Sequence, residues 1–185
     1  MTAALMFLLG LLTAAGIGLA WARLAGFAAQ RPAEYRAGEV FDIRRELNGP
    51  ILCEGVIFGP LGRVNSRFEA RMDPVWDGNR CVMAERFRYD SGTTQDREWR
   101  LTLGNDGAIR AEADDVVGGG IGRQEGSAVR LRYRIRLPAS AGGHVLSVTD
   151  WMYMTPSGTI VNRSQFRKFG IKVAELVATL RRAPA

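Results

Sequence analysis

Two oppositely charged residues keep step with the apolar residues of their strands. Between Arg80 and Tyr89, Glu85 alternates in phase with Cys81, Met83, Phe87 and Tyr89. Between Gln95 and Leu103, Arg97 does the same with Trp99, Leu101 and Leu103. If both faces turn inward, a carboxylate and a guanidinium stand among aromatic rings. Such a pair is costly unless it is hydrogen-bonded, so it would mark a specified polar site. At a rim the same pair contributes little. A second group lies on the stretch Asp150-Trp151-Met152-Tyr153-Met154, the turn Thr155-Pro156-Ser157-Gly158 and the return Thr159-Ile160-Val161-Asn162-Arg163, which reads as a β-hairpin. Parity groups Asp150 with Leu146, Val148, Met152 and Met154, and sends Trp151 and Tyr153 to the other face; Asn162 and Arg163 diverge likewise. Asp114-Asp115 precedes a glycine run, where adjacent carboxylates cap a turn or, as the alternative, bind a cation.

Several chemistries are disfavoured by residue type. One histidine, His144, and two cysteines, Cys53 and Cys81, fall short of the three or four ligands of a protein-built zinc site. With His144 in a glycine-flanked loop as the one candidate base, Ser147 and Ser164 have no Ser-His-Asp arrangement. Gly118-Gly119-Gly120-Ile121-Gly122 is followed by neither Lys-Ser/Thr nor a helix, so it is not a phosphate-binding loop. No cofactor is expected, and no catalytic residue is assigned. The net charge of +6 comes from 25 basic and 19 acidic residues, and only Lys168 and Lys172 are lysines. The arginines alternate with apolar residues and lack an aromatic stacking platform, which argues for a solvated face and against nucleic acid.

The elements that must position these residues are mostly strands. From Ile51 the apolar period is two, broken by Gly59-Pro60-Leu61-Gly62, Asp73 to Asn79, Asp90-Ser91-Gly92 and Gly104-Asn105-Asp106-Gly107. The plainest strand is Val129–Leu137: Val129, Leu131, Tyr133, Ile135 and Leu137 face one way, and Arg130, Arg132, Arg134 and Arg136 the other. Near the end, Val173, Leu176, Val177 and Leu180 follow a helical spacing, so a short C-terminal helix is expected over 171–180. The sum is eight or nine antiparallel strands without crossover helices, hence an up-and-down barrel or curved half-barrel over residues 47–182. The glycines from Gly118 to Gly126 either relieve strain at bends or open one wall into a cavity. Cys53 and Cys81 would be open to bridging if the domain is exported.

Residues 1–22 carry no charged side chain, and 22 residues at about 1.5 Å each span a bilayer core. Residues 1–25 are therefore read as a transmembrane anchor, with a cleaved signal ending near Ala20-Trp21-Ala22 as the alternative. The pairs Ala14 and Gly18, or Gly16 and Ala20, would let a membrane-protein partner approach that helix. Residues 26–46 mix Ala, Arg, Pro and Glu without a period and read as a linker. Arg23, Arg31 and Arg36 all follow the anchor, which by the positive-inside rule alone places the domain in the cytoplasm.

The chain resembles the bacterial family called domain of unknown function 3833. The resemblance is carried by Leu47-Asn48-Gly49, Gly55, Glu85-Arg86-Phe87-Arg88-Tyr89-Asp90-Ser91-Gly92, Arg97-Glu98-Trp99 and Ala113-Asp114-Asp115-Val116-Val117-Gly118. It continues through Gly122, Gly126, Asp150-Trp151-Met152-Tyr153, Asn162-Arg163-Ser164 and Lys168-Phe169-Gly170, and so spans Glu46 to Arg182. It implies a lipocalin-like barrel or half-barrel and an exported location, against the local arginine count. The family's proximity to genes for fatty-acid modification points to a lipid or acyl ligand. Family members carry a lipid-modified cysteine after the signal; Trp21-Ala22-Arg23-Leu24 has none, which favours the anchor.

The expected protein is thus an inner-membrane-anchored, lipocalin-like barrel on the periplasmic side that binds a lipid or fatty-acyl chain. Phe87, Trp99, Tyr133 and Trp151 would supply apolar contacts, and Glu85, Arg97, Asp115, Asp150, Asn162 and Arg163 would meet a polar head. A non-catalytic assembly subunit of a membrane complex and an enzyme acting on a lipid through Glu85 or Asp150 are the alternatives.

Overall fold

The computed structural model describes residues 2–184, without the side chains of Ala22 and Arg23. Met1 and the Arg23 side chain, both part of the anchor and orientation readings, therefore lie outside the described residues. Ten strands form a closed antiparallel meander: β1 (Ile51–Phe58), β2 (Val64–Asp77), β3 (Arg80–Tyr89), β4 (Thr94–Leu103), β5 (Ala108–Glu112), β6 (Gly120–Glu125), β7 (Ala128–Arg136), β8 (Val145–Met154), β9 (Ile160–Lys168) and β10 (Ile171–Arg182). Each strand pairs with its neighbours in sequence, and β1 closes the ring against β10, from Ile51 opposite Arg182 to Phe58 opposite Glu175.

The count of ten corrects the expected eight or nine. The glycine-rich segment supplies β6, and the segment expected as a C-terminal helix is β10. Leu176 and Leu180 satisfy a period of two as well as the helical one, Ala178 fits the period of two alone, and a register break between Lys172 and Ala174 removes Val173 from the alternation. A helix would satisfy its own backbone, but β1 and β9 would then each keep an unpaired edge, and closure abolishes both.

The glycine wall does not open a cavity. A Cβ on Gly122 would lie 2.3 Å from Leu131 Cδ2 and 2.6 Å from the carbonyl oxygen of Arg130, so the Leu131 side chain and the β7 backbone already occupy that space. Cys53 and Cys81 are free and buried; β2 separates their strands, with Cys53 opposite Ala70 and Cys81 opposite Trp76.

An apolar helix, α1 (Thr2–Ala25), precedes the barrel; its span Thr2–Trp21 is long and apolar enough to cross a membrane. Residues 26–46, read as a linker, are strapped to the barrel. Tyr35 packs on Trp151 and Tyr153 at ring-centroid distances of 5.3 and 5.4 Å. The Gln30 side chain accepts hydrogen bonds from the Tyr35 and Tyr153 hydroxyls at 2.5 and 2.8 Å. A one-turn helix, α2 (Ile43–Glu46), then plugs one end of the barrel. Phe41 and Ile43 are fully buried, the Ile43 amide donates to Gln124 Oε1 at 2.9 Å, and Trp76 Nε1 donates to the Leu47 carbonyl at 2.7 Å.

The strap crosses the β6–β7 turn at a glycine. Gly126 has φ +53°, the Phe41 amide donates to its carbonyl at 2.8 Å, and a Cβ there would lie 1.8 Å from the Tyr35 carbonyl oxygen. Gly126→Ala must both adopt a left-handed conformation and push the strap away. It is expected to cost about 2–4 kcal/mol, read as a lower urea midpoint together with faster proteolysis between residues 27 and 47.

Candidate functional site

The inner faces of the strands enclose a cavity of about 150 Å³. Ile43 and Leu47 floor it at the plugged end, and half-buried Phe87, Ile135, Phe166 and Leu176 ring it at the other, where solvent reaches its edge. Between them the wall is Phe68, Met72, Met83, Trp99, Leu101, Leu131 and Met152, interrupted by Glu85, Arg97, Tyr133, Asp150, Asn162 and Ser164.

Glu85 and Arg97 face each other on β3 and β4 and both turn inward, as their parity predicts. They are not hydrogen-bonded. Arg97 Nη1 stands 3.7 Å from Glu85 Oε2, close enough for attraction but too far for a hydrogen bond, and Glu85 Oε2 is buried with no partner. Arg97 is instead held by Asp115: Nε donates to Oδ2 at 2.8 Å and Nη2 to Oδ1 at 3.0 Å. The guanidinium also lies over the Trp99 ring at 4.2 Å, and Trp99 meets Tyr133 edge-on at 5.2 Å. Asp115 thus reaches the site from the β5–β6 connection, while its neighbour Asp114 points outward to Arg100 at 2.7 Å. The two carboxylates serve two arginines on opposite faces of the wall and do not form a joint cation site.

Across the cavity, Asp150 accepts from Asn162 Nδ2 and from Ser164 Oγ, the latter at 2.8 Å, all three facing inward from β8 and β9. Ser164, set aside above for want of a histidine, is therefore a site residue that orients a carboxylate. The pattern Asn162-x-Ser164 opposite Asp150 was the available signal, since residues two apart share a face.

Trp151 and Arg163 are corrections to the expected set. Both stand on the outside of the wall, because they alternate with Asp150, Asn162 and Ser164. Trp151 is fully buried even so, under Tyr35 of the strap. Arg163 bonds Glu175 Oε1 on β10 and lies 5.0 Å from the Phe27 ring. His144 is at the surface, its Nδ1 2.8 Å from Lys168 Nζ.

Burial governs the electrostatics. It pushes the Glu85 carboxyl up to about 7; Arg97 opposes this, and Asp150 and Asp115 add to it. Asp150 is raised by the same burial against the hydrogen bonds of Ser164 and Asn162. The Tyr133 phenol is also raised, chiefly by burial, and the Cys53 thiol is pushed up to about 12, so neither ionises near neutrality. Three carboxylates, Glu85, Asp115 and Asp150, thus share one guanidinium, and the one with an oxygen left over is Glu85.

A family profile described as protein of unknown function (DUF3833) matches residues 21–182. The chain belongs to that family. The DUF3833 match takes in the strap as well as the barrel. By sequence no curated protein matches the chain. Among solved structures it is similar to the S-type phycobiliprotein lyase CPES of Guillardia theta, at 9% identity over 84% of this chain and 99% of that one, with TM-score 0.56. It is also similar to Rv2717c of M. tuberculosis, at 14% identity over 75% of this chain and 94% of that one, with TM-score 0.54. At such identities the likeness carries the lipocalin-like fold alone.

Proposed function

We propose that this DUF3833 protein is a membrane-anchored carrier whose barrel takes the end of an amphipathic lipid or acyl compound, with α1 in the inner membrane and the barrel on its periplasmic side. The carrying observation is the unpartnered, buried Glu85 Oε2 in a largely apolar cavity whose other polar groups include Arg97, Asp150, Asn162 and Ser164. A buried acceptor without a partner is destabilising, and a ligand that donates a hydrogen bond removes that cost. The cavity, at about 150 Å³, is below the roughly 300–1,000 Å³ of pockets that engulf a drug-sized ligand. It therefore suits a head or a chain end, with the remainder leaving between Phe87, Ile135, Phe166 and Leu176.

Charge selects the head. A carboxylate ligand would bring a fourth negative group to a single guanidinium that Asp115 already holds in two hydrogen bonds. A hydroxyl, amide or ammonium would donate to Glu85. An acyl compound with a neutral or cationic head is thus favoured over a free fatty-acid anion.

Mass spectrometry of an organic extract from the full chain, purified in mild detergent, tests this. Wild type is expected to yield a near-stoichiometric amphipathic compound. Leu176→Trp, which narrows the mouth at a half-buried position, is expected to retain at least about tenfold less, equivalent to about 1.4 kcal/mol of binding. An empty wild-type barrel would refute carriage.

A further inference from the structure

We infer that the open end of the barrel carries a docking surface for an anionic bilayer, formed by the β1–β2 and β9–β10 turns. β1 pairs with β10, so these turns are neighbours at the end opposite the α2 plug. Their apolar residues are not covered: Leu61 is 92% exposed, Phe169 93% and Ile171 70%. Scattered single apolar residues on a surface need no explanation, but three on adjacent turns at the mouth of a cavity form a patch.

Phe169 supplies a second observation. It has φ +52° and is followed by Gly170 at φ +81°. Two-residue hairpin turns of this kind favour Asn-Gly, and a bulky side chain in the left-handed region is strained. The ring recovers nothing by burial, because it is almost fully exposed. A strained residue that presents an apolar ring to solvent makes sense where the ring has an apolar phase to enter.

The charge around the patch names that phase. Both lysines of the chain, Lys168 and Lys172, flank the turn, and Arg63 and Arg167 are beside it. The carboxylate facing this group is Glu175, which accepts from Lys172 at 2.9 Å and also holds Arg163. Lys168 meets His144, Arg167 donates to the Gly170 carbonyl at 3.0 Å, and Asp90 on the neighbouring β3–β4 turn is bonded to Arg67 and Ser66. The surface therefore keeps a positive excess around apolar tips, the pattern of a segment that inserts shallowly while its basic residues meet anionic headgroups. Phe27, two residues beyond α1, lies on the outer side of β9 against Arg163, and β9 leads directly to Phe169. The apolar helix and the apolar rim thus adjoin one wall. Such docking does not require the cavity to be filled, so its failure is distinguishable from failure of the carrier reading.

The test uses the full chain reconstituted in vesicles. A thiol-reactive, environment-sensitive fluorophore is attached at Ile171→Cys or, as the control at the plugged end, at the exposed Val75→Cys. The native thiols are buried. Lipids carrying a nitroxide in the acyl chain quench labels that enter the bilayer. The label at 171 is expected to be quenched severalfold more than that at 75 in vesicles containing phosphatidylglycerol, and less in phosphatidylcholine alone. Its quenching is expected to fall to the control level when Leu61→Asp and Phe169→Asp are added. Equal quenching at 171 and 75 would overturn the proposal, as would quenching at 171 that ignores the paired substitution. Equal quenching in the two kinds of vesicle would overturn its anionic selectivity.

Discussion

Arg97→Met is expected to destabilise the barrel by about 3–5 kcal/mol at pH 8, the usual cost of removing one partner from a buried ionic group. Arg97 is the cation that Asp115 bonds twice and that Glu85 faces at 3.7 Å. Methionine fills much of the same volume against Trp99, so the loss is one of charge and hydrogen bonds rather than packing. The loss should shrink in acid. Without Arg97, nothing opposes the burial that raises Glu85, whose folded value moves further above the unfolded one. Stability is then unaffected by Glu85 below its ordinary range and falls as pH rises through it. Denaturant titrations at about pH 5 and pH 8 should therefore show the larger deficit at the higher pH. Adding Glu85→Gln to Arg97→Met should recover part of it, the non-additivity that marks two residues in one network. A deficit independent of pH and additive with Glu85→Gln would mean that the pair does not interact.

Glu85→Gln alone is expected to do the opposite, stabilising the protein at pH 8 by about 1–3 kcal/mol while weakening ligand capture. Burial raises Glu85 from 4.5 to about 7, and each intervening pH unit corresponds to about 1.4 kcal/mol. The sign follows from proton counting. Between those values the unfolded chain releases the proton and the folded chain keeps it, so wild-type stability falls across that window and levels off above it. The amide has no proton to release, and the slope should flatten. Urea unfolding from pH 4 to 8, compared for the two proteins, reads the difference directly; a parallel pair of curves would place the Glu85 carboxyl in a solvated setting. A stabilising change that reduces binding is the signature of a group retained for function and not for the fold.

Alternation made much of this site legible. Glu85, Arg97, Phe87, Trp99 and Tyr133 all turn inward as their strand parity predicts, because a period of two leaves a half-buried wall little choice. The same rule divides Asp150 and Asn162 from Trp151 and Arg163, and the structure keeps that division. It also hides a fact, since an outward Trp reads as exposed until something is known to lie over it. The strap that buries Trp151 has no period, and its fixed points are single residues: Tyr35, Phe41 and Ile43. No pattern in residues 26–46 separates a strap from a spacer. Asp115 was legible as a candidate but its partner was not, because it reaches Arg97 from the β5–β6 connection, where strand parity does not apply. β10 was misread where two periodicities coincide at Leu176 and Leu180, and ring closure, a property of the whole sheet, decided between them.

The central claim is that Glu85, in the wall of a largely apolar cavity, selects a hydrogen-bond-donating head. Calorimetric titration of the wild-type protein at about pH 8 with an alcohol, an amine and a carboxylate of one chain length tests it most directly. The alcohol and the amine are expected to bind at least about tenfold more tightly than the carboxylate, a margin of about 1.4 kcal/mol, and Glu85→Gln is expected to narrow that margin. Tightest binding of the carboxylate, with a margin indifferent to Glu85→Gln, would contradict the account.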